Sequence, residues 1–398
     1  MLARNEHIAD RPMGRLVRLD GLRGVLAIYV TAGHMIPFLP LPPLAMRLAQ
    51  ALASHGLAAV ELFFALSGLV IVQSLARFGG DRRRFLAARA RRLLPVYLVV
   101  LAGAAVLMLA AGSPYGAMNW IAPHAPARAI WPAGPPPHPG LEVLAHLAFV
   151  HGALPHAALP DAPYALLGPA WSLSTEWQFY AAIAIFACGF DGSDRALVRL
   201  ALSFVALAVL ARLYASCVPL PWRFSRAFLP NEAVYFALGI AAARFWQGGR
   251  AGEGAGRFFA ALLIVAMALG ATHGAGWGRV AKALPPLGWA AAIAAQRFPA
   301  SRPLRPLARA LGARPILWLG LVSYPLYLVN EPLGRALALL LGPRLAGHPT
   351  LFGLLWGGAT LIGSLLLAAI LHYGIERSPP ARRRRVTPPV AVPAAGEA

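Results

Sequence analysis

The sequence predicts an all-α polytopic membrane protein with about ten transmembrane helices and both termini in the cytoplasm. Three observations carry this. Of 398 residues, 58% are hydrophobic and only 13% charged, where soluble domains run nearer a quarter charged. Apolar runs of about 20 residues, enough to span a bilayer, recur at roughly 22–41, 55–77, 93–112, 168–190, 196–216, 231–248, 258–274, 279–297, 315–341 and 350–375. Arginine falls between those runs in alternation. It crowds the connections after the second, fourth, sixth, eighth and tenth runs, whereas the longest intervening connection, 113–167, holds only Arg128.

Positive charge stays on the cytoplasmic side of short loops. Ten spans with both ends inside put every arginine-rich connection there, and a nine-span arrangement breaks the pattern. The formal charge of +21 (36 basic against 15 acidic) is thereby explained without nucleic acid as a partner.

Taken in order, residues 1–19 form a polar and basic arm. The run after it is long enough to span, so it reads as a retained first helix rather than a cleaved signal. The helices to residue 377 form one transmembrane domain. The eighth is broken by Pro285-Pro286. Within 113–167, the apolar stretch 141–159 reads as a short re-entrant or interfacial helix on the outer side. The rest of that connection is expected to be ordered by the protein beneath it. The inner segment 248–256 (GGRAGEGAG) has the glycines of a phosphate loop but no strand before it, so it is a linker. Residues 378–398 are basic and then Pro/Ala-rich, and are expected to be disordered. No internal repeat is evident.

Ionisable groups inside a span cost several kcal/mol and point to function. The first run carries two, Arg23 and His34, eleven residues apart. Eleven steps of an α-helix end about 20° past three full turns and about 16 Å higher. The two side chains therefore share a face, with Arg23 near the inner surface and His34 past the middle. A long, thin ligand with anionic groups at one end and a reactive group at the other suits that stack. Acyl-coenzyme A has this shape. Neutral imidazole can take the proton of an acceptor hydroxyl attacking the thioester. The competing readings are snorkelling for Arg23 and a helix–helix contact for His34.

Other buried polar groups reach a similar depth. Glu176 lies about 10 Å below the outer surface, counting from Pro169. Asn330 lies about 22 Å above the start of its span. Glu61 also enters from outside. Glu176 is the expected partner that holds the His34 tautomer, as a triad acid does. Arg89 and Arg92 share a helix face and can hold phosphates, although spacing alone favours a solvated face. The loop histidines His124, His138, His146, His151 and His156 lack metal-site spacing, so no metal is expected.

The segments RLDGLRGVLAIYVTAGH, VELFFALSGLVI, FLAARARRLLPVY, PAWSLSTEWQFY, SYPLYLVNEP and HYGIERSPP, in this order, resemble the bacterial acyltransferase-3 family of integral membrane O-acyltransferases. The resemblance covers about Arg18 to Glu376. It implies about ten core spans in the cytoplasmic membrane and transfer of an acyl group, usually acetyl, from a cytoplasmic donor. The usual acceptors are hydroxyls of extracytoplasmic sugars, although some members acylate macrolides or lipo-oligosaccharides. It implies that Arg23 and His34 are essential. Asn330 stands where the family often has His, and an amide cannot act as a base, so Asn330 is expected to position the acceptor.

The expected enzyme is thus an O-acetyltransferase that uses acyl-CoA as co-substrate and has no permanently bound cofactor. His34 and Glu176 are catalytic. Arg23, Arg89 and Arg92 hold the donor. Glu61, Trp171, Tyr324 and Asn330 bind the acceptor, a surface or exported glycan. A secondary transporter is the alternative from another class, disfavoured by the lack of two related halves.

Overall fold

A chain in hydrocarbon must satisfy its backbone internally, and apolar runs without turn signals do so as helices. The computed structural model describes residues 16–53, 55–78, 81–125, 127–186, 193–247, 252–272 and 277–377. The expected arm up to residue 15 and the expected disordered tail lie outside the described residues, as do residues 248–251 of the expected linker, whose residues 252–256 are the first turns of a helix. In chain order the helices are α1 (Val17–Met35), α2 (Pro43–Ala53), α3 (Gly56–Arg77), α4 (Arg82–Ala110), α5 (Ala127–Ile130), α6 (Pro139–Leu147) and α7 (Trp171–Phe186). Then come α8 (Asp194–Cys217), α9 (Leu229–Gln247), α10 (Gly252–Ala271), α11 (Trp277–Arg297), α12 (Arg305–Leu311), α13 (Arg314–Leu345) and α14 (Pro349–Leu371). Among the described residues, α1, α3, α4, α7 to α11, α13 and α14 each overlie one predicted run.

Among the described residues, five stretches are long and apolar enough to cross a membrane: Pro43–Val72, Arg82–Ala110, Asp194–Cys217, Gly254–Ala271 and Pro349–Glu376. The long helices outside this set are the more polar or the more enclosed. α9 is 0% exposed at Ala233, Phe236, Ile240 and Ala243. α13 carries Asn330, Glu331 and Arg335, with Asn330 and Arg335 buried. A helix surrounded by protein need not be uniformly apolar, because its polar groups find partners on its neighbours.

Two boundaries differ from expectation. The first helix stops at Met35 instead of running to about residue 41, and a single 3-10 turn, Ile36–Phe38 with Pro37 at its centre, follows it. Proline has no N–H to continue an α-helix. The unpredicted α2 follows. No residue of α2 is buried, and Leu44, Leu48 and Leu52 line up exposed on one face. Such a stripe suits a helix lying in the membrane interface. The predicted piece 141–159 is helical only as far as Leu147.

α1 and α13 pack along their length. A Cβ on Gly320 would stand 2.0 Å from the Asp20 carbonyl oxygen, and one on Gly24 would stand 2.5 Å from that of Ile316. Only hydrogen fits at either point, so the two backbones nearly touch. Over the bundle end, the 113–167 connection is anchored by aromatic packing. Phe38 stacks on Trp131 with ring centroids 3.7 Å apart. The Trp356 indole N–H donates to the Gly334 carbonyl at 2.8 Å.

Replacing Gly320 with Val should force α1 and α13 apart, at a cost of about 1–3 kcal/mol or more. Gly358, with open space around its Cα, should accept Ala without loss. Thermal unfolding of the two variants in detergent checks this; equal melting would contradict the close approach.

Candidate functional site

α1, α3, α4, α7 and α13 enclose a cavity of about 130 Å³. Arg23 of α1 and Arg89 and Arg92 of α4 all line it. Three guanidiniums from two helices thus converge on one space. Arg89 donates to Ser74 Oγ, and its guanidinium carbon lies 5.6 Å from the Tyr180 ring centroid. Its Nε is buried without a hydrogen-bond partner. A buried donor left unpaired costs about 1–3 kcal/mol, and an anion in the cavity would recover it. The start of α4 projects both arginines because Asp81 caps it, accepting from the Arg84 N–H at 3.0 Å.

Glu176 is in the same cavity. Its Oε1 accepts from Ser67 Oγ at 2.7 Å and from the Tyr180 hydroxyl. Tyr324 lines the wall too, and its hydroxyl donates to the Leu93 carbonyl at 2.6 Å. At the far end Ser172 donates to the Tyr327 hydroxyl at 3.0 Å or accepts from it. Sequence reasoning missed Ser67, Tyr180 and Tyr327, although all three sit inside the segments it singled out.

His34 is not among the residues lining this cavity. Its Nδ1 lies 2.8 Å from Asn330 Oδ1. The Asn330 amide nitrogen donates to the carbonyls of Leu326 at 3.0 Å and Tyr327 at 2.8 Å. That pairing settles the amide's orientation: NH2 toward its own helix, oxygen toward His34. A carbonyl oxygen only accepts, so His34 must carry its proton on Nδ1, and Nε2 holds the free lone pair. This corrects two expectations. Glu176 does not pair with His34, since its partners are Ser67 and Tyr180. Asn330 takes the tautomer-setting place expected of Glu176, as the Asn of a Cys-His-Asn triad does.

Two further expectations need revision. Glu61 points from α3 toward α9, where it meets Tyr235, and it lines a separate recess. It does not join the group around His34. Trp171 packs edge-on against Phe64, with centroids 5.9 Å apart, and is buried at 9% exposure. It supports the wall and is not among the cavity-lining residues.

Of the loop histidines, His146 and His151 are 0% exposed and their rings stack at 4.1 Å. His146 Nδ1 donates to the Glu142 carbonyl and His151 Nε2 to that of Ala170. Among the described residues no group of three His, Cys, Asp or Glu side chains could hold a metal ion. Burial, with the neighbouring His151 adding to it, pushes His146 down to about 3. Burial pushes His151 down to about 4.

The family profile described as "Acyltransferase domain", that of acyltransferase-3, matches residues 16–373. The chain belongs to the acyltransferase-3 family, and its long apolar helices suit a multi-pass membrane protein. It is 34% identical over 99 residues to "Protein 2 in picA locus" of Rhizobium radiobacter. That match takes in 24% of this chain and 47% of the relative, so the chain spans about half the length of that curated protein. No solved structure matches.

The stacked histidines give a pH test. Below their ordinary value of 6.5, the unfolded chain takes up protons that the folded rings refuse until about 4 and about 3. Their contribution is therefore whole above 6.5 and is lost as pH falls. Glu142, raised by burial from 4.5 to about 7, works in the opposite sense across part of that window. Two depressed rings outweigh one carboxyl, so the melting temperature should fall between about pH 7.5 and about pH 5. His146→Phe, which keeps the stack, should flatten the fall. An equally steep fall in the variant would contradict the assignment.

Proposed function

We propose that the protein moves an acyl group, acetyl in the simplest case, from cytoplasmic acyl-CoA to a hydroxyl of a surface or exported glycan. In this reading ten helices span the cytoplasmic membrane and both termini are cytoplasmic. The observation that carries it is the convergence of Arg23, Arg89 and Arg92 on one cavity, with His34 farther along α1 poised as a base.

The arginines would take the phosphates of the donor, which guanidinium grips bidentately. Glu176, tied to Ser67 and Tyr180, would balance the arginines and orient them while the site is empty. The pantetheine arm would carry the thioester past Tyr327. That residue lies one turn before Asn330, and its hydrogen bond to Ser172 would have to yield. The acceptor hydroxyl oxygen then attacks the thioester carbonyl carbon. His34 Nε2 takes the hydroxyl proton, the C–S bond breaks, and the departing thiolate receives that proton back. Asn330 holds the Nδ1–H throughout, so the base always presents the same nitrogen. Since Asn330 is neutral, the imidazolium would be short-lived.

General-base catalysis contributes about 10²–10⁴-fold. His34→Ala should therefore lose at least about a hundredfold in transfer from labelled acetyl-CoA in membranes. Near-normal turnover with intact expression would overturn the assignment. Arg89→Ala should raise KM for acetyl-CoA more than it lowers kcat, because it removes binding shared by ground and transition states. A pure kcat effect would place Arg89 elsewhere in the mechanism.

A further inference from the structure

A second, charged recess lies where α3 and α9 begin and α8 and α10 end. It encloses about 250 Å³, and its polar wall is Glu61, Arg212, Arg223, Arg226, Asn231 and Glu232. Three guanidiniums and two carboxylates leave a surplus of one positive charge. Arg223 and Arg226 come from the short connection between α8 and α9. Asn231 pins that connection by donating to the carbonyls of Phe224 at 3.3 Å and Ser225 at 2.7 Å. Arg223 donates from Nε to the Val218 carbonyl at 3.1 Å, which fixes its guanidinium in the wall.

An apolar groove of about 290 Å³ adjoins this recess, walled chiefly by Leu207, Leu210, Tyr214, Phe224, Phe228 and Pro230. The two spaces share Ala215, Phe224 and Asn231, so they form one compartment with a cationic end and an apolar end. The apolar end opens outward along α8, where Leu210 is 60% and Tyr214 41% exposed. Trp222 is 57% exposed beside it, and the Tyr214 hydroxyl donates to the Trp222 carbonyl at 3.0 Å. Exposed Trp and Tyr at a helix end mark the depth of lipid headgroups.

A wholly polar ligand would leave the groove against hydrocarbon. A wholly apolar one would strip water from Arg223 and Arg226 and return nothing. The occupant that satisfies both ends has a hydrocarbon chain and a compact anion. Paired arginines match the oxygens of a phosphate, and Glu61 and Glu232 can accept from hydroxyls on the same headgroup.

We propose that this compartment binds an anionic phospholipid, its phosphate on Arg223 and Arg226 and one chain in the groove along α8. The proposal uses none of the residues assigned to acyl transfer, and it goes beyond that reading. In the proposed orientation the compartment faces the outer leaflet.

Native mass spectrometry of the full chain in neutral detergent tests it, with dioleoylphosphatidylglycerol, dioleoylphosphatidylcholine and inorganic phosphate as probes. Phosphatidylglycerol should bind at least about tenfold more tightly than phosphatidylcholine. The double variant Arg223→Ala, Arg226→Ala should abolish that preference. Leu210→Trp, which fills the groove from its exposed rim, should weaken phosphatidylglycerol at least about tenfold. Equal binding of the two lipids would overturn the proposal. So would inorganic phosphate competing as strongly as the lipid does, because the groove would then contribute nothing. Arg226→Gln alone provides a milder change should the double variant fail to fold, and a full preference retained in it would count against the assignment. His34→Ala should bind phosphatidylglycerol like the parent, so failure of the acyl-transfer reading would leave this result standing.

Discussion

The site depends on how closely α1 and α13 approach. Gly24 and Gly320 let the two backbones come within a distance that no side chain allows, and that approach brings His34 to Asn330. The hydrogen bond between them sits among helices, where a weak dielectric strengthens it and makes any unmet partner expensive. The amide is itself held by two carbonyls of its own helix. The imidazole therefore meets an acceptor that cannot turn round, and one tautomer is left. A neutral partner does this without placing another full charge in the bilayer.

The arrangement separates two tasks. The arginine-lined cavity gathers charge where α1 and α4 start, and the histidine stands about three turns farther along α1. Glu176 belongs to the first region by its hydrogen bonds, not to the second. Several helices that form these surfaces are the less apolar ones. The apolar helices α8, α10 and α14 carry none of the charged groups that line that cavity, and α4, apolar enough to span, carries Arg89 and Arg92 only on its polar first turns. Polarity inside and grease outside is the reverse of a soluble domain, and here it lets a charged cavity persist within a membrane.

Much of this was legible in the residues. Apolar runs of bilayer length stand out because so little else produces them, and each proved helical. α2 escaped because eleven amphipathic residues led in by prolines fall below the length at which hydropathy speaks. The convergence of Arg23 with Arg89 and Arg92 could be suspected, since each is a cation near an apolar run. The pairing of Glu176 with His34 could not be tested that way. Counting residues along a span yields height, but not the compass direction in which a side chain leaves its helix. Glu61 went astray for the same reason, at a plausible depth but facing α9. Asn330 was undervalued because it was judged as a base, which it cannot be, rather than as an acceptor. Nothing in the sequence signals that Ser172 meets Tyr327, because that contact joins residues 155 positions apart.

His34 and Asn330 are 296 positions apart. At about 5–20 residues per second, a ribosome needs roughly 15–60 s to travel between them. For that interval the newborn first helix carries an imidazole whose acceptor has not yet been made. Its polar stripe needs temporary shelter, from water in the insertion machinery or from earlier-arriving helices such as α3. Pairing of His34 with Asn330 is thus a late event, completed only after α13 has been made.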